Sequence, residues 1–188
     1  PWGAKLDMIL VEASPRLRNE LEYFGSVIEY LGFKLHFMPR ISSDELSKGR
    51  VIMIAGKKFE KFPTDDRDII VKHVQAGHGI IVMTDSESTP FFDSIQDILS
   101  VAGIYVVPTK IRADDKFEFS TRNINKSHKI TMGINELTFS NASRFIVSQR
   151  KTAPVTILAR SEKNHVPPNA IVACTTKIGN GKIIAIST

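Results

Sequence analysis

Apolar residues in this chain change their spacing from segment to segment, and the spacing separates strands from helices. They bunch at Lys5–Val11 (KLDMILV), Arg50–Ala55 (RVIMIA), Ile80–Met83 and Ile104–Val107, and alternate over Phe33–Met38. Between these runs they recur every three or four residues, so the pattern predicts strands separated by helices with one apolar face. Leu17, Leu21, Phe24, Val27, Ile28 and Leu31 form the first such face, after a Ser14-Pro15 start signal and before a stop at Gly32. Ser42–Leu46 predicts a short helical turn. Thr64 is placed to cap a second helix, whose first turn carries Asp65 and Asp66 and whose buried side takes Ile69, Ile70, His73 and Val74. Phe92, Ile95, Ile98, Leu99 and Ala102 predict another, closed by Gly103.

The stretch Val71–Ser86 (VKHVQAGHGIIVMTDS) organises the rest. Gly77 and Gly79 permit a sharp turn out of a helix, and the uninterrupted run after them predicts a strand covered on both faces. Its tip releases Thr84-Asp85-Ser86-Glu87-Ser88 into the loops where open α/β sheets hold ligands. Alternating strand and helix implies right-handed crossovers and a doubly wound, flavodoxin-like sheet between helical layers. From Pro108 the character changes. Phe117–Ser120 alternates and a polar loop spans Thr121–Lys129. Strand candidates at Arg144–Ser148, Val155–Ala159, Ala170–Cys174 and Lys182–Ile186 then follow without helices between them, with a hairpin signal at Asn180-Gly181. The expectation is an α/β domain over residues 1–188 with a mostly parallel sheet, extended at one edge by antiparallel strands of the C-terminal half.

With 188 residues, 42% of them hydrophobic, the chain is long enough to bury a core. No apolar run approaches the roughly 20 residues that span a bilayer. The chain begins at Pro1 and ends as a strand reaches its tip, so it is expected to be a piece of a longer protein, cytoplasmic or tethered to a membrane through parts absent here. The net charge of +5 is dispersed among acids, as in Lys57-Lys58-Phe59-Glu60-Lys61, which argues against a nucleic-acid partner. A single cysteine, Cys174, excludes an intramolecular disulfide, and its apolar strand predicts a small buried hydrophobe. The five histidines show no ligand spacing, so no metal and no cofactor are expected.

Three segments together resemble the class I glutamine-amidotransferase-like superfamily: Ile69–Ser86 (IIVKHVQAGHGIIVMTDS), His128–Ile134 (HKITMGI) ahead of a strand, and Gly179-Asn180-Gly181-Lys182 with its hydrophobic strand. Within it they resemble the GIFT-type branch found in intraflagellar-transport, gliding-motility and ABC-transporter-associated proteins. In true amidotransferases a nucleophilic cysteine follows the strand that matches Gly79–Thr84, and a histidine and a glutamate follow near the C-terminus. Here Asp85 and Ser86 occupy that turn and no His-x-Glu pair follows the last strand. The resemblance therefore implies an amidotransferase-like fold without the catalytic triad, acting in ligand binding or protein interaction.

Candidate ligand-binding residues lie at the expected tips of the first, third and fourth strands: Glu12, Ser14, Lys57, Asp85 and Ser86, with His128 brought in from the later segment. They suit an unknown polar small molecule such as a sugar, or a protein partner. Structural roles compete with this. Ser14 is placed as a helix cap, and Ser88 or Thr89 before Pro90 caps the next helix while Asp85 binds backbone amides. The alternative function is a small hydrolase using Ser86 or Asp85 with His128 as base, although the flanks lack a Gly-x-Ser-x-Gly elbow. Gly56-Lys57-Lys58 and Gly179–Lys182 do not open helices as phosphate loops do. A further possibility is that edge strands of the C-terminal half pair with a partner chain.

Overall fold

A computed structural model describes residues 7–11, 22–38, 41–47, 49–54, 64–84, 89–148 and 153–187. The strands are β1 (Asp7–Val11), β2 (Lys34–Met38), β3 (Val51–Ile54), β4 (Gly79–Thr84), β5 (Ile104–Val107), β6 (Glu118–Thr121), β7 (Leu137–Ser140), β8 (Arg144–Val147), β9 (Thr156–Arg160), β10 (Ile171–Ile178) and β11 (Gly181–Ser187). The helices are α1 (Glu22–Tyr30), α2 (Ser43–Ser47), α3 (Thr64–Gln75) and α4 (Thr89–Val101). The strand expected after the HKITMGI segment is β7.

Eight strands run in the order β2-β1-β3-β4-β11-β10-β8-β5, with β9 also paired to β10, and β6-β7 form a separate hairpin. The first five are mutually parallel, in a flavodoxin-like order. All pairings beyond β11 are antiparallel. The sheet is thus evenly mixed rather than mostly parallel. β5, which the alternation of strands and helices would set beside β4, lies instead at the far edge against β8. The place beside β4 belongs to β11, with Ile183 opposite Ile80 and Ser187 opposite Thr84. The C-terminal strands therefore do not simply extend an edge: the last of them completes the parallel block. Periodicity assigns residues to faces, not strands to neighbours, which is why this insertion escapes it.

Successive residues of β11 serve two cores. Ile183 and Ala185 join Ile52, Ile54, Ile80 and Val82 under α3 and α4, where Ile70, Val74, Ile95, Ile98 and Leu99 come down on the sheet. Ile184 and Ile186 face the other way, toward a second core of Phe119, Phe139, Leu158 and Ala173. β4 shows the same division. Ile80, Val82 and Thr84 are buried, whereas Ile81 and Met83 are only half-buried, so the strand expected to be covered on both faces is fully covered on one.

The α3–β4 connection and the β10–β11 hairpin fix each other. The hairpin loop is Gly179-Asn180, one residue earlier than the sequence signal suggested, with Gly179 at φ 56° and Gly181 already paired opposite Ile178. The Asn180 amide donates to the Gln75 carbonyl (3.1 Å) and the Lys182 amide to the His78 carbonyl (3.3 Å), so the loop supplies partners to carbonyls at the end of α3. A Cβ at Gly181 would fall well inside contact distance of the Val74 and His78 carbonyl oxygens, so no other residue fits. The two glycine motifs that looked like separate turns are the halves of one joint.

The first apolar face departs from expectation at its end. Val27 and Leu31 are exposed, and α1 meets β2 through Gly25, which approaches Leu35 closely enough that a Cβ would lie 3.2 Å from Leu35 Cδ2. Leu46 of α2 is buried under β3.

Candidate functional site

The parallel strands β4 and β11 end together, and buried hydroxyls tie their ends to the start of β8. Ser187 Oγ donates to the Thr84 carbonyl (3.3 Å) and lies 3.1 Å from Ser143 Oγ; Thr84, Ser143 and Ser187 are all buried. With its proton directed to Thr84, Ser187 Oγ accepts from Ser143. The cluster holds the strand ends in register, and Asp85 and Ser86 follow Thr84 in the chain. Sequence reasoning passed over Ser143 and Ser187 and read Thr84 only as the start of the polar strand tip. The visible signal was a hydroxyl closing each of two apolar strands.

Beside these ends lies a cavity of about 410 Å³, within the range of roughly 300–1,000 Å³ typical of small-molecule sites. Met83, Ile184 and Ile186 come from the half-buried face of the sheet, with Ala173 of β10 and Leu158 of β9 beside them. The opposite wall is built by Leu137 and Phe139 of β7 and by Ile130 and Ile134 of the preceding loop. Phe139 stacks on Phe119 with ring centroids 5.4 Å apart, and Phe119 meets the edge of His165 at 4.9 Å, so this wall is backed by rigid aromatic packing. The exposed lining residues Ile130, Thr138 and Ser140 mark the opening. No aspartate, glutamate, histidine, lysine or arginine lines the cavity among the described residues.

Most of the hydroxyls that do line it are committed elsewhere. Thr131 Oγ1 donates to the Asn125 carbonyl, Thr138 Oγ1 pairs with Ser120 Oγ at 2.8 Å, and Ser187 is held as above. A loop clamp supports the same region from outside. Glu162 Oε1 accepts from Thr121 Oγ1 (2.9 Å) and from the backbone amides of Arg122 (2.7 Å) and Asn123 (3.1 Å). The bond from the Arg122 amide, followed by that from Thr121, holds the Glu162 carboxyl below the usual carboxylate range.

Of the sequence candidates, only His128 falls among the described residues; Glu12, Ser14, Lys57, Asp85 and Ser86 lie outside them. His128 is half-buried in the turn that leads to Ile130 and Thr131, and its Nδ1 accepts the Ile130 amide at 3.2 Å. That bond uses the Nδ1 lone pair within the turn. His128 therefore serves as a turn residue whose segment builds the cavity wall.

The remaining reactive groups are accounted for structurally. Cys174 is fully buried in β10, and burial pushes its thiol up to about 12. His73 and His78 stack in parallel, with centroids 3.9 Å apart, beside the α3–β4 joint. Burial, aided by repulsion from His78 and opposed by a hydrogen bond to the Gly49 backbone, lowers His73 to about 4. Among the described residues no group of three or more His, Cys, Asp or Glu side chains is positioned to hold a metal ion, and no helix is long and apolar enough to cross a membrane.

No family model matches this chain, and no curated protein matches it by sequence. Solved structures do match the fold. The N-terminal domain of mmIFT52 superposes with a TM-score of 0.79 at 17% identity, covering 97% of this chain and 86% of that one. A ThuA-like protein from Bacteroides uniformis gives 0.64 at 12% identity, covering 99% and 83%. A cytoplasmic protein from Salmonella typhimurium gives 0.63 at 12%, covering 97% and 87%. An exo-β-1,4-mannosidase from an Opitutaceae bacterium matches over only 31% of its own length, with a TM-score of 0.61 at 12% identity and 97% of this chain covered. These likenesses bear out a flavodoxin-like α/β fold.

Proposed function

We propose that this chain is a non-catalytic binding module of the amidotransferase-like fold, a single domain within a larger protein, whose ligand enters beside the C-terminal ends of β4 and β11. The observation that carries this reading is the cavity itself: it has the size of a ligand site, yet its described walls hold no acid, base or activated nucleophile. Acid–base and nucleophilic catalysis need such groups within hydrogen-bond reach of the reacting atoms. The likeness to the mmIFT52 N-terminal domain supports a GIFT-type assignment within the wider fold. Asp85 and Ser86 follow Thr84 directly in the chain, Glu12 follows β1 and Lys57 lies just beyond β3. We assign these residues, with Ser14, to the polar rim of the same site.

Backbone-amide NMR against a fragment library that spans polar and apolar compounds tests this reading. Shift changes should cluster at residues 130–141 and 183–187, and the same sample should not turn over nitrophenyl esters. Changes scattered over the surface, or esterase turnover lost on Ser86→Ala, would overturn it. A protein-interaction role has its own surface in the exposed cross-strand pair Tyr105 and Ile146 at the β5 edge. A strict monomer in light scattering at high concentration would remove self-association through that edge.

A further inference from the structure

We infer that the cavity between the β4–β11 ends and the 130–141 wall takes a neutral, predominantly apolar molecule with one uncharged hydrogen-bonding head, such as a medium-chain alcohol, rather than a sugar or an anion. This rests on the binding-module reading and names its ligand class. Three observations converge on it. First, the interior is hydrocarbon on both walls, from Met83, Ile184 and Ile186 on the sheet to Ile134, Leu137 and Phe139 opposite. A sugar seated there would lose hydrogen bonds to water at several hydroxyls and regain few of them. Second, no cationic or anionic side chain lines the described cavity, so a buried carboxylate or phosphate would have no counter-charge.

Third, the polar atoms are distributed unevenly. Thr131, Thr138 and Ser187 already spend their hydroxyl protons or lone pairs on protein partners. Ser140 Oγ and the Asn141 amide have no side-chain partner among the described residues, and Ser140 is exposed at the opening. Among the described residues they offer one free donor–acceptor pair at the mouth of a chamber whose interior is apolar, inside the polar rim proposed above. Asn141 is held in the left-handed region at φ 53°, and its own amide nitrogen is anchored to the Phe117 carbonyl (2.8 Å), so the side chain is presented from a fixed backbone. Sequence reading favoured a polar ligand because it weighed the strand tips alone. The walls come from segments remote from those tips in the chain.

The test is fluorescence titration with the neutral probe N-phenylnaphthylamine, followed by competition. One probe should bind per chain, and decanol should displace it at least tenfold more effectively than decanoate at neutral pH. Ile184→Phe, which fills the chamber, should weaken the probe at least tenfold while circular dichroism stays unchanged. Asn141→Gly tolerates the same left-handed backbone and removes the side-chain amide together with its Cβ; it should weaken decanol three- to tenfold while circular dichroism stays unchanged. No saturable binding, equal displacement by decanoate, or a folded Ile184→Phe variant that binds as the parent does would each overturn the inference. Amide NMR with N-acetylglucosamine separates the two levels. If the sugar shifts residues 130–141 where decanol does not, the ligand class falls and the binding module stands; if neither shifts them, both fall.

Discussion

Gly133 and Gly181 form a natural pair for measuring what space costs. Both lie outside helices, but Gly133 has φ 85° with nothing within 4 Å of a virtual Cβ, whereas Gly181 faces the backbone carbonyls of Val74 and His78. Gly133→Ala should cost only the left-handed strain of about 1–2 kcal/mol. Gly181→Ala must move backbone and should cost about 3 kcal/mol or more in urea unfolding. His73 supplies a second measurable effect. Its folded pKa is depressed from 6.5 to about 4, so the unfolded chain takes up the proton first. Stability should be complete above pH 6.5, fall by about 2 kcal/mol between pH 6.5 and 4 after allowance for partial exposure, and lose nothing further from this group below that. Urea midpoints across that window should show the slope in the parent and a flatter line in His73→Gln. Cys174, buried with its thiol raised to about 12, should stay silent to a thiol reagent until the chain is unfolded.

At the level of elements, the joint between α3 and the β10–β11 hairpin and the clamp at Glu162 do the work that caps and turns do within single elements. Glu162→Ala removes the acceptor of the Arg122 amide, while Thr121 Oγ1 keeps the Arg160 carbonyl (2.6 Å) and the Asn123 amide keeps Thr121 Oγ1 (3.1 Å); it should cost about 1 kcal/mol and speed hydrogen exchange at Arg122 most. Because the Glu162 carboxyl is held below its ordinary value, that contribution is present above the unfolded pKa near 4.5 and fades as pH falls through the lower folded value, an acidic window distinct from that of His73. These elements also mark where the sequence was legible. The spans of α3, β4 and α4 followed from apolar spacing, because each buries a regular stripe. Val27 and Leu31 did not: both are exposed, and Gly25 lets α1 approach Leu35 of β2 closely. The site was legible as a place, the end of β4, but not as a chemistry: its walls come from β7, β9, β10 and β11, and periodicity carries no information on which distant segments meet. Glu12, Ser14, Lys57, Asp85 and Ser86 lie outside the described residues, and His128 lies in the turn before Ile130.

For the whole molecule, the decisive feature is that β11, the final strand in the chain, sits between β4 and β10 and links the parallel block to the antiparallel one. Deleting residues 181–188 should therefore abolish the cooperative unfolding transition rather than trim an edge, as circular dichroism melting would show. Pairing β4 with β11 also closes a long span of chain, and such non-local contacts slow folding. During synthesis, moreover, β4 waits with an apolar flank open until β11 leaves the ribosome. A polypeptide arranged this way offers nascent-chain chaperones a hydrophobic seam throughout the synthesis of the segment between β4 and β11, and any stall before Gly181 yields a species built to aggregate.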